Sequence, residues 1–185
     1  MREALAQDLN DEAKRMLRVA LAALARRDHS RDELDRKLRR AFRPGKAAST
    51  PEFTEERLDG NADADGESVR AIEICQVLDR LQARGLLSDQ RMAQSLVRTR
   101  SQRYGRRRIQ QELERRGVDR TTIAQSLPNS AEELQRARAI WNRKFGVLPQ
   151  SGLERARQSR FLAARGFDAS VIARVLSDRG EDALS

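Results

Sequence analysis

A stretch of this chain is repeated within the chain, and the repetition limits the folds that are possible. Residues 112–127, ELERRGVDRTTIAQSL, align without a gap on residues 161–176, FLAARGFDASVIARVL. The glycine, the aspartate two residues after it and the leucines near both ends fall in register. A weaker match places SRDELDRKL (30–38) on GRRRIQQEL (105–113). Such repetition is typical of tandem helical repeats, in which units share faces.

Apolar residues recur at intervals of three and four, which is the spacing of one face of an α-helix. Valine and isoleucine show no sustained alternation at the two-residue interval of a strand, so the pattern predicts no strand. Nine helices are predicted, and they group as three tandem three-helix repeats in an all-α, elongated, curved, solenoid-like molecule. The predicted core residues include Leu17, Leu21, Leu24, Leu34, Leu38, Ile74, Leu78, Leu81, Met92, Leu96, Val97, Ile109, Leu113 and Trp141.

Polar residues and glycines mark the predicted helix ends. A serine followed three residues later by glutamate predicts a capping box, and the pairs are Ser30–Glu33, Ser130–Glu133 and Ser151–Glu154. Glycine just past a helix accepts a left-handed conformation, and the next residue then packs back on the last turn. Gly117 and Gly166 are predicted to do this with Val118 and Phe167, and an aspartate caps the helix that follows each of them.

The domain boundaries follow from these signals. We predict an N-terminal tail over 1–10, a first three-helix repeat over 11–85, a second over 86–128, a third over 129–180 and a C-terminal tail over 181–185. Residues 47–67, AASTPEFTEERLDGNADADGE, carry seven acidic residues and one basic residue. This composition, rich in Pro, Gly and Asp, predicts a flexible acidic insertion in the first repeat.

The net charge favours an anionic partner. The formal charge is +9 and the sequence pI is about 10.9, with 33 arginines against four lysines. Arginine suits bidentate contact with phosphate or carboxylate. A coding bias towards arginine explains the excess equally well, so the charge favours a polyanion without identifying it.

The residues of common catalytic and metal sites are missing from the pattern. His29 is the only histidine and lies in a polar turn, RRDHSRDE, so we interpret it as a turn residue and not as a base. Cys75 is the only cysteine, and its apolar-periodic surroundings predict a small buried side chain. No cofactor loop or metal-ligand spacing is present. We expect a non-enzymatic protein without metal or cofactor that is cytoplasmic, because neither a signal peptide nor a membrane span is recognisable.

Two nucleic-acid interpretations compete at this stage. IQQELERRGVDRTTIAQSLP places Gly117 in a plausible helix-turn-helix, but the second helix is short and Arg120 is its only base. Tyr104 and Trp141, each beside cationic residues, could stack on unpaired bases. Seven aromatic residues in 185 make a poor stacking platform.

The segment RYGRRRIQQELERRG (103–117) carries six arginines. Ile109 and Leu113 fix its buried side, and Arg115 and Arg116 suit a helix C-terminus. Arg106, Arg107 and Arg108 occupy the first turn, where positive charge opposes the helix dipole at about 0.3–1 kcal/mol per residue. A pair between Arg108 and Glu112 would recover only part of that loss. We interpret the three arginines as lacking a stabilising role and as the contact with an anionic partner; a tolerated, solvated helix face is the alternative.

The block LLSDQRMAQSLVRTRSQRYGRRRIQQELERRGVD (86–119) resembles the RecX family of RecA-regulating proteins. The resembling elements are LSD before a helix, then YG, RI, EL and RG. RFLAARGFDASVIARVL is similar to the closing block of the family and SRDELDRKL to its opening block. The acidic insertion departs from the family pattern, and nothing is transferred to it.

The resemblance implies three-helix repeats that bind along the RecA filament on single-stranded DNA. Members of the RecX family dampen the strand exchange, ATP hydrolysis and co-protease activity of RecA, in DNA repair and the SOS response. We therefore expect a RecA-regulating monomer that binds the filament, with naked DNA as a further candidate partner. A helix-turn-helix DNA-binding protein acting without RecA is the alternative. From the residues alone, the predicted filament- or DNA-contacting side chains are Arg103, Tyr104, Arg106, Arg107, Arg108, Lys144 and Arg165.

Overall fold

The periodic segments form helices close to where the sequence predicts them. The computed structural model describes residues 5–43 and 62–177, with side chains from residue 66 onward in the second range. From residue 11 onward, the described residues form nine α-helices and no strand. They are α1 (Asp11–Leu24), α2 (Arg31–Ala41), α3 (Ala62–Ala83), α4 (Asp89–Arg100), α5 (Arg106–Arg115), α6 (Arg120–Ser126), α7 (Ser130–Lys144), α8 (Gly152–Ala163) and α9 (Ala169–Ser177).

Helix starts follow the predicted caps with one exception. Ser30 and Glu33 form a complete capping box at α2, Asp119 accepts from the Thr122 N–H at α6, and Ser151 accepts from the Glu154 N–H at α8. The Ser130–Glu133 box is wrong by one residue. Asn129 caps α7 and Glu132 completes the box, because asparagine is an equally good capping residue. Glu133 is consequently released from any capping role in its own helix.

The repeated segment folds in the same way at both of its occurrences. Gly117 has φ +74° and Gly166 has φ +82°, the left-handed conformation that glycine adopts without steric cost. The N–H of Val118 donates to the Leu113 carbonyl at 3.2 Å, and the N–H of Phe167 donates to the Leu162 carbonyl at 3.3 Å. Val118 and Phe167 are both buried, so the predicted hydrophobic closure of each helix end is confirmed.

The chain divides into two compact units, residues 1–89 and 90–185. In the first unit α1, α2 and α3 share one core. The apolar stripe predicted for α1, which includes Ala20, is confirmed in part. Leu17 and Ala20 are buried, Leu21 and Leu24 are only partly buried, and Met16 is buried in addition. Residues outside the predicted repeat (11–85) also join this core, namely Leu5, Leu9, Leu86 and Leu87. The first core therefore extends beyond both predicted boundaries.

Three other predictions fail or change in the first unit. Residues 62–67 of the predicted flexible insertion belong to α3, and 47–61 lie outside the described residues. Cys75 is exposed, because the buried face of α3 consists of Ile74, Val77, Leu78 and Leu81. His29 lies in the turn before α2 but is buried, with its Nδ1 atom 3.5 Å from Glu33 Oε2.

The second unit contains two cores. One is built from α4, α5 and α6 around Ile109 and Leu113. The other is built from α7, α8 and α9 around Trp141, Leu162 and Phe167. The all-α class and the grouping of helices in threes are confirmed, while the curved shape stays a prediction. Within the described ranges, each helix is too short or too polar to cross a membrane.

Candidate functional site

The predicted site residues gather where α5 begins and α8 ends. One hollow of about 460 Å³ is lined by Arg103, Tyr104, Lys144 and Arg165, together with Ile140, Arg143 and Phe161. A second hollow of about 780 Å³ is lined by Arg107 and Arg108 and, around the end of α8, by Ala163, Ala164 and Gly166. Of the seven predicted residues, only Arg106 lines neither hollow. We use the term cationic face for Arg103, Arg107, Arg108, Arg143, Lys144 and Arg165.

The two helix ends meet through their backbones at what we term the α5–α8 junction. The Gly105 N–H donates to the Arg165 carbonyl at 2.8 Å, and the Arg107 N–H donates to the Gly166 carbonyl at 3.1 Å. A Cβ atom on Gly105 would lie 2.5 Å from the carbonyl carbon of Gly166. The first N–H groups of a helix have no partner within the helix. Here the carbonyl groups at the end of α8 satisfy two of them.

Glu133 of α7 completes the start of α5. Its Oε1 atom accepts from the Arg106 N–H at 2.9 Å, and the residue is only 2% exposed. Burial raises the pKa of this carboxyl, and the nearby Asp168 raises it further, against the opposing effects of the Arg106 N–H and the Arg136 and Arg106 charges. Sequence reasoning assigned Glu133 to the capping box of α7, so it missed this contact between α7 and α5.

Arg106 has a structural role, which corrects the prediction that it lacks one. Its Nη1 atom donates to the Pro128 carbonyl at 3.2 Å, just before α7. Its backbone N–H is the group that Glu133 binds. The side chain is only partly exposed. Arg106 therefore ties α5 to α7, and its contact with an outside partner stays a prediction.

Arg107 and Arg108 also have partners that the sequence did not reveal. Arg108 Nη1 donates to the Ala164 carbonyl at 3.2 Å, and its guanidinium lies 4.2 Å from the Tyr104 ring centre. The carbonyl end of a helix carries partial negative charge, so the end of α8 offsets the dipole penalty in the first turn of α5. Arg107 is held more loosely, with Nε 3.9 Å from Asp168 Oδ1 and 67% of its side chain exposed.

The aromatic rings of the site already have cations stacked on them. Arg165 lies 3.6 Å over the Phe161 ring centre and its Nη1 donates to the Phe161 carbonyl at 3.1 Å. Arg108 covers one face of Tyr104 in the same manner. Such cation–π contacts favour the arginines at these positions. A base that stacks on Tyr104 would have to use the face that Arg108 leaves uncovered. Trp141 is buried and donates from Nε1 to Gln158 Oε1 at 2.7 Å, so it is a core residue and is not available for stacking.

The other end of α5 is fixed by a second carboxylate. Glu112 accepts from Arg100 Nε at 3.0 Å and from Arg116 Nη2 at 2.9 Å, instead of pairing with Arg108. Burial alone would raise the pKa of Glu112, but the hydrogen bonds and charges of the two arginines outweigh it and hold the pKa below its usual value. The pairing of Arg116 with Glu112 confirms the structural role predicted for Arg116.

Comparison with known proteins follows the same division of the chain. A family model described as "RecX, second three-helix domain" matches residues 88–127, and one described as "RecX, third three-helix domain" matches residues 131–176. The chain is 40% identical over 168 residues to "Regulatory protein RecX" of Pseudomonas savastanoi pv. phaseolicola, covering 89% of this chain and 92% of the relative. This chain belongs to the RecX family.

Further relatives and solved structures agree with this assignment. "Regulatory protein RecX" of Leptothrix cholodnii is 40% identical over 158 residues, covering 85% of this chain and 84% of that protein. The crystal structure of RecX from Lactobacillus salivarius has a TM-score of 0.68 at 17% identity, over 91% of this chain and 97% of that chain. A second crystal structure of regulatory protein RecX has a TM-score of 0.64 at 19% identity. These structures show a shared fold.

In terms of the RecX domains, the α5–α8 junction joins the second three-helix domain to the third. The cationic face draws Arg103, Arg107 and Arg108 from the second domain, and Arg143, Lys144 and Arg165 from the third. Arg143 was not among the predicted site residues, although it precedes Lys144 in the sequence. The helix-turn-helix α5–α6 exists, but α6 has seven residues with Arg120 as its only base. The arrangement therefore supports packing better than reading of a major groove.

Proposed function

We propose that this RecX-family chain binds the RecA filament on single-stranded DNA and inhibits the recombinase, ATPase and co-protease activities of RecA, in DNA repair and the SOS response. Two observations support this: the relatives bear the name "Regulatory protein RecX", and the cationic face spans two three-helix domains. We propose that it acts in the cytoplasm as a monomer, without a cofactor and without a catalytic step.

The observation that carries the proposal is the availability of cations on this face. Among the described residues, the side chains of Arg103, Arg143 and Lys144 make no hydrogen bond or ion pair, and all three are exposed. Arg107 has one long ion pair and is mostly exposed, a geometry worth little in water. These four cations can therefore bind phosphate or carboxylate groups without first losing a strong partner.

The structure sharpens the choice of variant for testing the proposal. Reversing Arg106 or Arg108 would also break contacts that hold α5 in place. Arg107→Glu with Lys144→Glu reverses charge on both sides of the junction at exposed positions. The matched control, Lys37→Glu with Arg40→Glu, makes the same change in charge on the exposed part of α2.

The experiment is a titration of each protein into DNA-dependent ATP hydrolysis by RecA at low salt. The parent chain should suppress hydrolysis at well below one molecule per RecA protomer. The Arg107/Lys144 reversal should raise the midpoint about tenfold or more, because each lost charge-assisted contact is worth about that factor. The α2 control should stay close to the parent. Unchanged hydrolysis at every concentration of the parent would refute the proposal.

Binding to naked duplex DNA tests the alternative of a DNA-binding protein that acts without RecA. That function predicts tight binding with a steep dependence on salt concentration and no need for the filament. The single base on α6 does not favour it. Fluorescence anisotropy with a labelled duplex, compared with RecA filaments on single-stranded DNA, distinguishes the two. Stronger binding to the duplex would support the alternative.

A further inference from the structure

The start of α5 has N–H groups to satisfy and no side chain of its own to satisfy them. Its N-cap residue is Gly105, which offers no capping oxygen. The close approach of Gly166 excludes serine, threonine, asparagine and aspartate at this position, because even a Cβ atom would lie 2.5 Å from backbone atoms. The residues that normally cap helices are therefore sterically forbidden here. The acceptors have to come from elsewhere in the fold.

All the acceptors that the start of α5 uses lie in or beside the third domain. The Gly105 and Arg107 N–H groups donate to the Arg165 and Gly166 carbonyls, which are backbone groups. The Arg106 N–H donates to Glu133. Glu133 is thus the only side chain among these three acceptors. It replaces the missing N-cap residue from a different three-helix domain.

Glu133 occupies a position where its charge is costly. A buried carboxylate loses its hydration and persists where hydrogen bonds and nearby cations compensate. The Arg106 N–H supplies such a bond, and the charges of Arg136 and Arg106 favour the ionised form. Arg136 is itself desolvated, since burial lowers its pKa. Glu133, the Arg106 N–H and Arg136 therefore form a partly buried polar cluster between α5 and α7.

The Glu133–Arg106 contact joins the two domains that carry the cationic face. Arg103, Arg107 and Arg108 move with the second domain, while Arg143, Lys144 and Arg165 move with the third. The 3.9 Å pair of Arg107 with Asp168 is too long and too exposed to fix the distance between them. The backbone bonds of Gly105 and Arg107, and the Arg108–Ala164 bond, hold the α5 start to the end of α8. Glu133, together with the Arg106–Pro128 bond, holds it to α7.

Resting on the proposed function, we propose that Glu133 is a positioning residue: it caps α5 from the third domain and thereby fixes the separation of the two halves of the cationic face. The acceptor oxygen, and not the negative charge, performs this role. Glutamine at position 133 should therefore replace glutamate, because its amide oxygen can accept the same N–H. Alanine should not.

The test compares Glu133→Ala, Glu133→Gln and a matched control, Glu132→Ala, in the full chain. Glu132 belongs to the capping box of α7 and does not bind α5, so it reports on loss of a neighbouring cap in the same helix. Amide hydrogen exchange at Arg106 is measured by NMR on the chain alone. The midpoint of RecA ATPase inhibition and its dependence on salt concentration are measured with the filament.

Exchange at the Arg106 N–H should accelerate about tenfold or more in Glu133→Ala, because its acceptor is lost. The same variant should inhibit RecA about fivefold less well, and its salt dependence should weaken by about one phosphate contact. Glu133→Gln and Glu132→Ala should stay within about twofold of the parent chain in both measurements.

Different failures have different meanings. Unchanged Arg106 exchange in Glu133→Ala would overturn the capping role, and a defect in Glu133→Gln equal to that of alanine would overturn the role of the acceptor. Accelerated exchange with unchanged inhibition would overturn the positioning role while leaving the proposed function intact. A parent chain that does not inhibit RecA would refute the proposed function, whereas the exchange result would still decide whether Glu133 caps α5.

Discussion

Gly105 and Gly166 touch through their backbones, and neither position has room for a side chain. A Cβ on Gly105 would lie 2.5 Å from Gly166 backbone atoms, and one on Gly166 would lie 2.5 Å from the Cβ of Arg108. Gly105→Ala should cost about 1–3 kcal/mol in the free energy of unfolding through overpacking alone, because its φ of −81° suits any residue. Gly166→Ala should cost about 1 kcal/mol more, from its positive φ.

Gly146→Ala is a control that distinguishes the cost of a positive φ from the cost of a steric clash at the junction. Gly146 has φ +69°, but its nearest added contact is an ordinary 3.4 Å. This control should cost only about 1 kcal/mol. Urea unfolding followed by the fluorescence of Trp141, the only tryptophan, measures all three. Equal losses in Gly146→Ala and Gly166→Ala would contradict the close approach at the junction.

The burial of Glu133 predicts a specific dependence of stability on pH. Its pKa is raised in the folded protein, so the folded state takes up a proton more readily than the unfolded chain. The contribution of Glu133 to stability should therefore increase as the pH falls from above the raised pKa to below the ordinary one. Glu133→Gln removes this titration and should change the free energy of unfolding at neutral pH by less than about 1 kcal/mol. Urea unfolding of both proteins from neutral to acidic pH provides the measurement, and parallel curves would contradict the prediction.

Glu112 should have the opposite effect on the pH dependence. The hydrogen bonds of Arg100 and Arg116 lower its pKa in spite of burial, so its stabilisation is present above the ordinary pKa of glutamate and is lost as the pH falls through the lowered value. Glu112→Gln should cost about 1–2 kcal/mol at neutral pH. The deficit should disappear in strong acid. A constant deficit at every pH would mean that shape, and not charge, accounts for the contact.

The exposure of Cys75 can be tested chemically. An exposed thiol should react fully with an aromatic disulfide reagent in the folded protein, at one thiol per chain. Cys75→Ser should change stability by less than about 0.5 kcal/mol, as surface substitutions usually do. If the thiol reacts only after denaturant is added, the exposed position is contradicted and the burial predicted from the sequence is supported.

Local signals explain why much of the fold could be predicted from the sequence. Ile109 and Leu113, four residues apart, have to face the same side of a helix, and both are buried. Gly117 and Gly166 end helices because few other residues accept a left-handed conformation. Each of these features depends on neighbours within a few residues, so the sequence pattern carries it directly.

The candidate site could be predicted only in part, because its key contacts join distant residues. The sequence pattern marks three arginines as unusual because positive charge in the first turn of a helix opposes its dipole; they are Arg106, Arg107 and Arg108. Their partners Pro128, Asp168 and Ala164 come from other helices or loops, and no local rule connects them. Position 133 shows the limit most clearly. Asn129 and Ser130 are both good caps, and the choice between them decides whether Glu133 serves its own helix or α5.

The capping of α5 by later residues has a consequence for synthesis. The chain grows from its N-terminus, so α5 leaves the ribosome before Glu133, Arg165 and Gly166 have been made. Until Glu133 has been made, the Arg106 N–H can bind only water, and the Gly105 and Arg107 N–H groups lack their acceptors until Arg165 and Gly166 follow. The start of α5, the middle helix of the second three-helix domain, is therefore complete only after α8 of the third domain has been made. We expect the Arg106–Arg108 turn to fray in a chain that ends before Arg165, because the acceptors of the Gly105 and Arg107 N–H groups are then missing.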